Sequence, residues 1–137
     1  MSHYGSEWIA YDVRWYNDTS EISIGTGGVL DGWYRRSGPV CEVFVDFKPG
    51  TGHGSPATTF EFTLPFTGVT TGGGGSWSAT VWDDNGTVYS AAIGGLTPGS
   101  PPTRVRLYYN TSYVNSTTPF TWTVSDRGNM FGVYRVP

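Results

Sequence analysis

The sequence predicts an all-β fold, a single antiparallel β-sandwich of eight or nine short strands in a jelly-roll-like arrangement, and three observations predict it. Aromatic residues make up 16% of the 137 residues and there are 20 glycines, whereas Asp, Glu, Lys and Arg together reach only 14%, against roughly 25% in an ordinary soluble domain. Short apolar runs with two-residue alternation recur between Gly and Pro clusters, and no stretch carries the 3.6-residue period of an amphipathic helix. Lys48 is the only lysine and Ala and Leu are sparse, so the residues that favour helices by losing little rotamer entropy are missing.

The length suits one domain over residues 1–137, able to bury one core. Strands are expected near Ile9 to Tyr16, Val29 to Arg36, Val40 to Phe47, Thr58 to Leu64, Ser76 to Trp82, Thr87 to Ile93, Thr103 to Tyr109, Pro119 to Val124 and Met130 to Val136. Turn-rich segments separate them, among them Gly25 to Gly28, Pro49 to Pro56, Thr70 to Gly75, Gly94 to Pro102 and Asn110 to Thr118. Alternation assigns faces: Phe60, Phe62 and Leu64 point to the core, and Thr59, Glu61 and Thr63 point out. Cys41, Val43, Val45 and Phe47 likewise share a core face, opposite Glu42, Phe44 and Asp46. Phe44 is thus an apolar residue on an otherwise polar side. With Tyr34, Trp77 and Val81 added, these apolar sets form the expected core.

The hairpin at Asp83-Asp84-Asn85-Gly86 is decided by register. A two-residue Asn-Gly turn pairs Trp82 with Tyr89 and mixes apolar with polar residues on both faces. A three-residue loop of Asp84, Asn85 and Gly86 pairs Val81 with Tyr89, Ala79 with Ala91 and Trp77 with Ile93, giving one wholly apolar face. Trp82 and Val88 then turn outward.

Several functions are disfavoured. The net charge is −3 and the eight basic residues are scattered, with no stripe for a phosphate backbone, so nucleic acid is not an expected partner. Neither a signal peptide nor a long apolar run is apparent, which predicts synthesis in the cytosol and no membrane partner. Cys41 is the only cysteine and reads as a small core residue. His3 and His53 have no partner at metal-ligand spacing, and the Asp83-Asp84 segment lacks the later Glu of a calcium loop, so neither metal nor cofactor is expected. The candidate catalytic carboxylates are Asp12, Asp31, Glu42, Asp46, Glu61 and Asp126, of which Glu42, Asp46 and Glu61 are expected on solvated sheet faces. No nucleophile turn accompanies them, and the chain reads as non-enzymatic. Sequons at Asn17, Asn85, Asn110 and Asn115 follow from the abundance of Ser and Thr.

One resemblance carries more. Trp15 with Thr19-Ser20, Ile24-Gly25-Thr26-Gly27, the run Leu30-Asp31-Gly32-Trp33-Tyr34-Arg35-Arg36-Ser37-Gly38, the alternating strand to Phe47 and Phe60-Glu61-Phe62-Thr63-Leu64-Pro65 together resemble a recurrent β-sandwich domain of bacteriophages, especially those of actinobacteria. Phe120-Thr121-Trp122-Thr123-Val124-Ser125-Asp126 and Gly132-Val133-Tyr134 are similar to the same domain's closing strands. The resemblance spans nearly the whole chain and implies a virion-surface protein of the kind found in capsid decoration proteins, minor tail proteins and tail-fibre heads, commonly as homotrimers.

The implied function is that of a trimeric decoration protein on the capsid exterior, with itself and the major capsid protein as partners. The alternative is a minor tail or tail-fibre receptor-binding domain recognising host cell-surface carbohydrate, and a free carbohydrate-binding module is a third reading. Strand-like sequence begins almost at Met1, which favours decoration if Met1 is the natural start; in a piece of a longer gene product the tail reading leads. Trp33, Phe44, Trp82 and Tyr113 are the expected subunit or ligand contacts, because low charge content leaves these aromatics facing outward.

Overall fold

A computed structural model describes residues 7–69, 75–96 and 103–137, with the backbone alone for 90–96. The expected loop segments at 70–74 and 97–102, and His3, lie outside the described residues. Eleven strands and no helix are found among the described residues: β1 (Ile9–Tyr11), β2 (Trp15–Asn17), β3 (Ser20–Ile22), β4 (Val29–Ser37), β5 (Val40–Lys48), β6 (Glu61–Thr63), β7 (Ser76–Trp82), β8 (Val88–Leu96), β9 (Arg104–Tyr109), β10 (Ser112–Tyr113) and β11 (Arg127–Arg135).

All pairings are antiparallel, and the strands form two sheets packed face to face. Sheet A runs β1-β4-β5-β11-β7-β8, and sheet B runs β8-β9-β6-β2-β3 with β10 beside β9. β8 belongs to both: Val88 to Ala92 lie along β7, and Ile93 to Leu96 along β9. The hairpin feeding it closes as the register argument requires, with Val81 opposite Tyr89, Gly86 at φ 96° and the Gly86 N–H donating to the Asp83 carbonyl at 2.9 Å. Further along, the expected register fails. Ala79 faces Ala92, so β8 carries one extra residue, and Ile93 pairs with Tyr108 instead of Trp77. Such a bulge adds local twist, which turns β8 out of sheet A and into sheet B.

The strand count exceeds eight or nine for a similar reason. The run expected from Ile9 to Tyr16 breaks at Asp12 to Arg14, sending β1 to sheet A and β2 to sheet B. Two short strands, β3 and β10, extend sheet B. One expected strand is absent: Pro119 to Val124 makes no ladder and follows a cis Thr118-Pro119 peptide as an irregular strap. Its alternation is real, because Phe120 and Trp122 are buried while Thr121 and Thr123 are exposed. The apolar members plug the core, and the Trp122 N–H donates to the Ser116 carbonyl at 3.0 Å.

Between the sheets lies a cluster of rings. Phe47 contacts Phe62 at 4.8 Å, Trp15 contacts Phe60 at 5.0 Å, and Trp122 contacts both Phe60, at 4.9 Å, and Phe120, at 4.6 Å. Cys41, Val43, Val45, Trp77, Val81 and Met130 complete it from sheet A, and Val105 and Leu107 from sheet B. Of the expected core, Tyr34 and Leu64 sit half-buried at its margin. The inward positions of β11 include Gly128 and Gly132, where a side chain would collide with the rings of Phe47 and Trp77. Those glycines let two large aromatics lie flat against the strand.

Candidate functional site

Alternation sends Asp31, Trp33 and Arg35 of β4, Glu42, Phe44 and Asp46 of β5, and Asn129, Phe131 and Val133 of β11 to the outside of sheet A. The register aligns them in rows across the strands. Trp33, Phe44, Phe131 and Ser78 of β7 form the central row. Asp31, Asp46, Asn129 and Thr80 run along one side of it, and Arg35, Glu42, Val133 and Ser76 along the other. The Trp33 and Phe44 rings lie 5.8 Å apart, and Trp8 sets its ring edge-on to Phe131 at 6.3 Å. Arg35 places its guanidinium 4.6 Å over the Trp8 ring while its Nε donates to Glu42. Trp8, Trp33 and Phe44 line an open groove of about 380 Å³. Phe131 keeps 38% and Trp8 39% of its surface exposed, so the stripe is an apolar band with polar margins.

Of the four expected contacts, Trp33 and Phe44 come together in this stripe. Trp82 lies on the same sheet but at another row, half-buried with the Arg127 guanidinium 5.6 Å from its ring. Tyr113 lies on sheet B. The stripe also contains Trp8 and Phe131, which the sequence reading passed over. Phe131 was legible: Gly128, Met130, Gly132 and Tyr134 form the inward set of β11, which leaves Phe131 outside. Trp8 precedes the first strand and has no periodicity to place it.

The outer face of sheet B corrects an expectation. Glu61 and Thr59 do not face solvent; they are 1% and 2% exposed. Glu61 of β6 stands beside Arg106 of β9 and Tyr16 of β2 in the register, and its carboxylate meets Arg106 at 2.7 Å and Arg104 at 3.0 Å. Aromatic rings flank both arginines: Arg104 lies 4.6 Å over Tyr16 and Arg106 4.9 Å over Tyr113. Arg104 also donates to the Asp18 carbonyl, and Thr59 Oγ1 accepts the Asp18 N–H at 2.9 Å. Burial of Arg106 works against its charge, and the hydrogen bond and charge of Glu61 outweigh that, raising its pKa.

Sheet B also carries a groove, of about 560 Å³, lined by Tyr108, Thr111, Ser112, Tyr113, Asn115 and Thr118. It lies between the β9–β10 hairpin tip and the turn closed by the Asn115–Thr118 bridge.

A third cluster gathers Asp83, Asp84 and Asp126, whose carboxylate oxygens lie within 4.8 Å of one another. Asp126 is fully buried and ties two turns together: Oδ1 accepts the Asp84 N–H at 2.7 Å, and Oδ2 accepts the Thr123 N–H at 2.5 Å. The hydrogen bond with Asp83, followed by partial desolvation and the charges of Asp126 and Asp83, raises the Asp84 carboxyl above its ordinary value. Cys41 is buried, and burial pushes its thiol up, away from the reactive thiolate.

Comparison of this chain with protein-family models, with curated proteins and with solved structures finds no match.

Proposed function

We propose that this chain is a non-enzymatic structural protein of a bacteriophage particle: a jelly-roll-like sandwich that assembles as a homotrimer and decorates the capsid exterior. The observation that carries the reading is the Trp8–Trp33–Phe44–Phe131 stripe on sheet A. A row of phenyl and indole rings with few polar edges suits another protein surface, since aromatic residues enrich interface centres while charged groups stay at the rim. Here the rim consists of Asp31 and Asp46 on one side and the Arg35–Glu42 pair on the other. The resemblance to phage virion-surface domains supplies the particle, and the trimer follows from that resemblance. Three of the carboxylates that could serve catalysis are engaged elsewhere: Glu61 by two arginines, Asp126 by two turns and Glu42 by Arg35.

Sedimentation of the wild type and of Phe44→Glu tests the assembly. The wild type is expected as a trimer and the variant as a folded monomer, because an outward charge spares the core but disrupts a desolvated stripe. A wild type that is monomeric at every concentration, or a variant that still trimerises, would count against the stripe as a subunit contact. Antibody labelling of intact virions tests the place. Signal over the capsid is expected; signal confined to the tail tip would replace decoration with the receptor-binding alternative.

A further inference from the structure

We infer that the groove on the outer face of sheet B is a saccharide-binding site, distinct from the aromatic stripe on sheet A. Its walls differ from the stripe in kind. Tyr108 and Tyr113 pair across β9 and β10 with ring centroids 5.4 Å apart, and Thr111, Ser112, Asn115 and Thr118 line the open groove with them. One side of the Tyr113 ring carries the Arg106 guanidinium at 4.9 Å, yet 42% of the residue remains exposed. The hydroxyls of Tyr108, Thr111, Ser112, Tyr113 and Thr118 make no hydrogen bond to the described protein. Asn115 turns its carbonyl oxygen to the Thr117 N–H at 3.0 Å, and its Nδ2 makes only a long contact of 3.5 Å with the Tyr113 carbonyl.

A sugar ring has an apolar C–H face and an equator of hydroxyls. The exposed Tyr113 ring offers a surface for the first, and the hydroxyls together with the weakly held Asn115 Nδ2 offer donors and acceptors for the second. The backbone that holds them is fixed before any ligand arrives. Ser116 N–H donates to the Pro56 carbonyl at 2.7 Å, Val114 N–H to the Leu107 carbonyl at 3.1 Å, and Asn115 N–H to the Thr118 carbonyl at 3.0 Å. Val114 itself is fully buried and anchors the hairpin to the core. Behind Tyr113, Arg104 and Arg106 outnumber Glu61, so neutral and acidic sugars fit the local charge better than a protonated amino sugar. This site goes beyond the docking role on sheet A and does not depend on it.

The test uses the full chain on an array of immobilised bacterial and eukaryotic glycans, followed by nuclear magnetic resonance titration with digalacturonate, chitobiose and the glucosamine disaccharide. Array binding is expected to favour neutral and acidic glycans. In the titrations, saturable shifts are expected at Tyr108, Tyr113 and Asn115 with digalacturonate or chitobiose, with a dissociation constant on the order of 1 mM. Tyr113→Ala is expected to weaken binding by about tenfold or more, with the amide spectrum elsewhere unchanged. The double variant Thr111→Val, Ser112→Ala should weaken it while retaining both rings. Phe44→Glu on sheet A should leave it intact, which separates this site from the proposed subunit contact. An array without any binder sensitive to Tyr113→Ala would overturn the inference. So would saccharide shifts centred on Trp33 and Phe44, or capture of protein partners alone by the groove.

Discussion

The two sheets turn their inner faces to one core, but their outer faces obey different rules. On sheet A the outward row stays outward: Phe131 is exposed and Phe44 half-buried, although both are apolar, and the Arg35–Glu42 pair beside them is half-exposed. On sheet B the outward Glu61 is sealed under Arg104, Arg106 and the rings of Tyr16 and Tyr113. The apolar row that remains open is the one we propose as a subunit contact, whereas the charged row that is covered is internal structure. The same alternation in sequence produced both. What separates them is whether neighbouring strands supply groups able to fold over the outward residue.

Removal of the shared interior sets the scale. Phe62 is fully buried among Phe47 and its neighbours, and Phe62→Ala is expected to cost about 3 to 5 kcal/mol by chemical denaturation, affecting both sheets together. Unchanged stability would show that the faces do not meet as described. The contrast between outer faces is sharpened by a pair of charge deletions. Glu61→Ala removes the carboxylate that two largely covered arginines share and is expected to cost about 3 kcal/mol. Glu42→Ala breaks a half-exposed pair of the same chemistry and should cost less than about 1 kcal/mol. Equal costs in the two variants would erase the distinction between a sealed and an open face.

The smallest effect concerns the Asp83-Asp84-Asp126 cluster. The Asp84 carboxyl binds its proton more tightly in the folded chain than when unfolded, so its contribution is fully present below the unfolded pKa. That contribution is lost as pH rises through the folded pKa. Asp84→Asn should therefore gain melting temperature relative to the wild type as pH is raised from about 3 to about 7. An offset independent of pH would show that the carboxyl is not perturbed by its neighbours.

Much of this was legible in the residues. Two-residue alternation placed Cys41, Val43, Val45, Phe60 and Phe62 in the core and left Phe44 outside, because side-chain direction in a strand is a local property. The same reasoning named Trp33 and Phe44 without revealing that they adjoin, and it missed Trp8, whose position is set by a contact with Phe131 far away in the chain. It also called Pro119 to Val124 a strand, since alternate burial looks the same whether the backbone hydrogen bonds go to a ladder or to the turn at Ser116.

The sequence by itself determined the all-β class, the turn at Gly86 and the inward side of the long strands, because each depends on neighbours within a few residues. The tertiary structure alone decided that β1 and β2 part company at Asp12, that β8 changes sheets through its bulge, and that Glu61 is buried. Those outcomes depend on which distant strands become neighbours. Arg106 lies 45 residues from Glu61 along the chain, and only strand pairing brings its guanidinium onto that carboxylate.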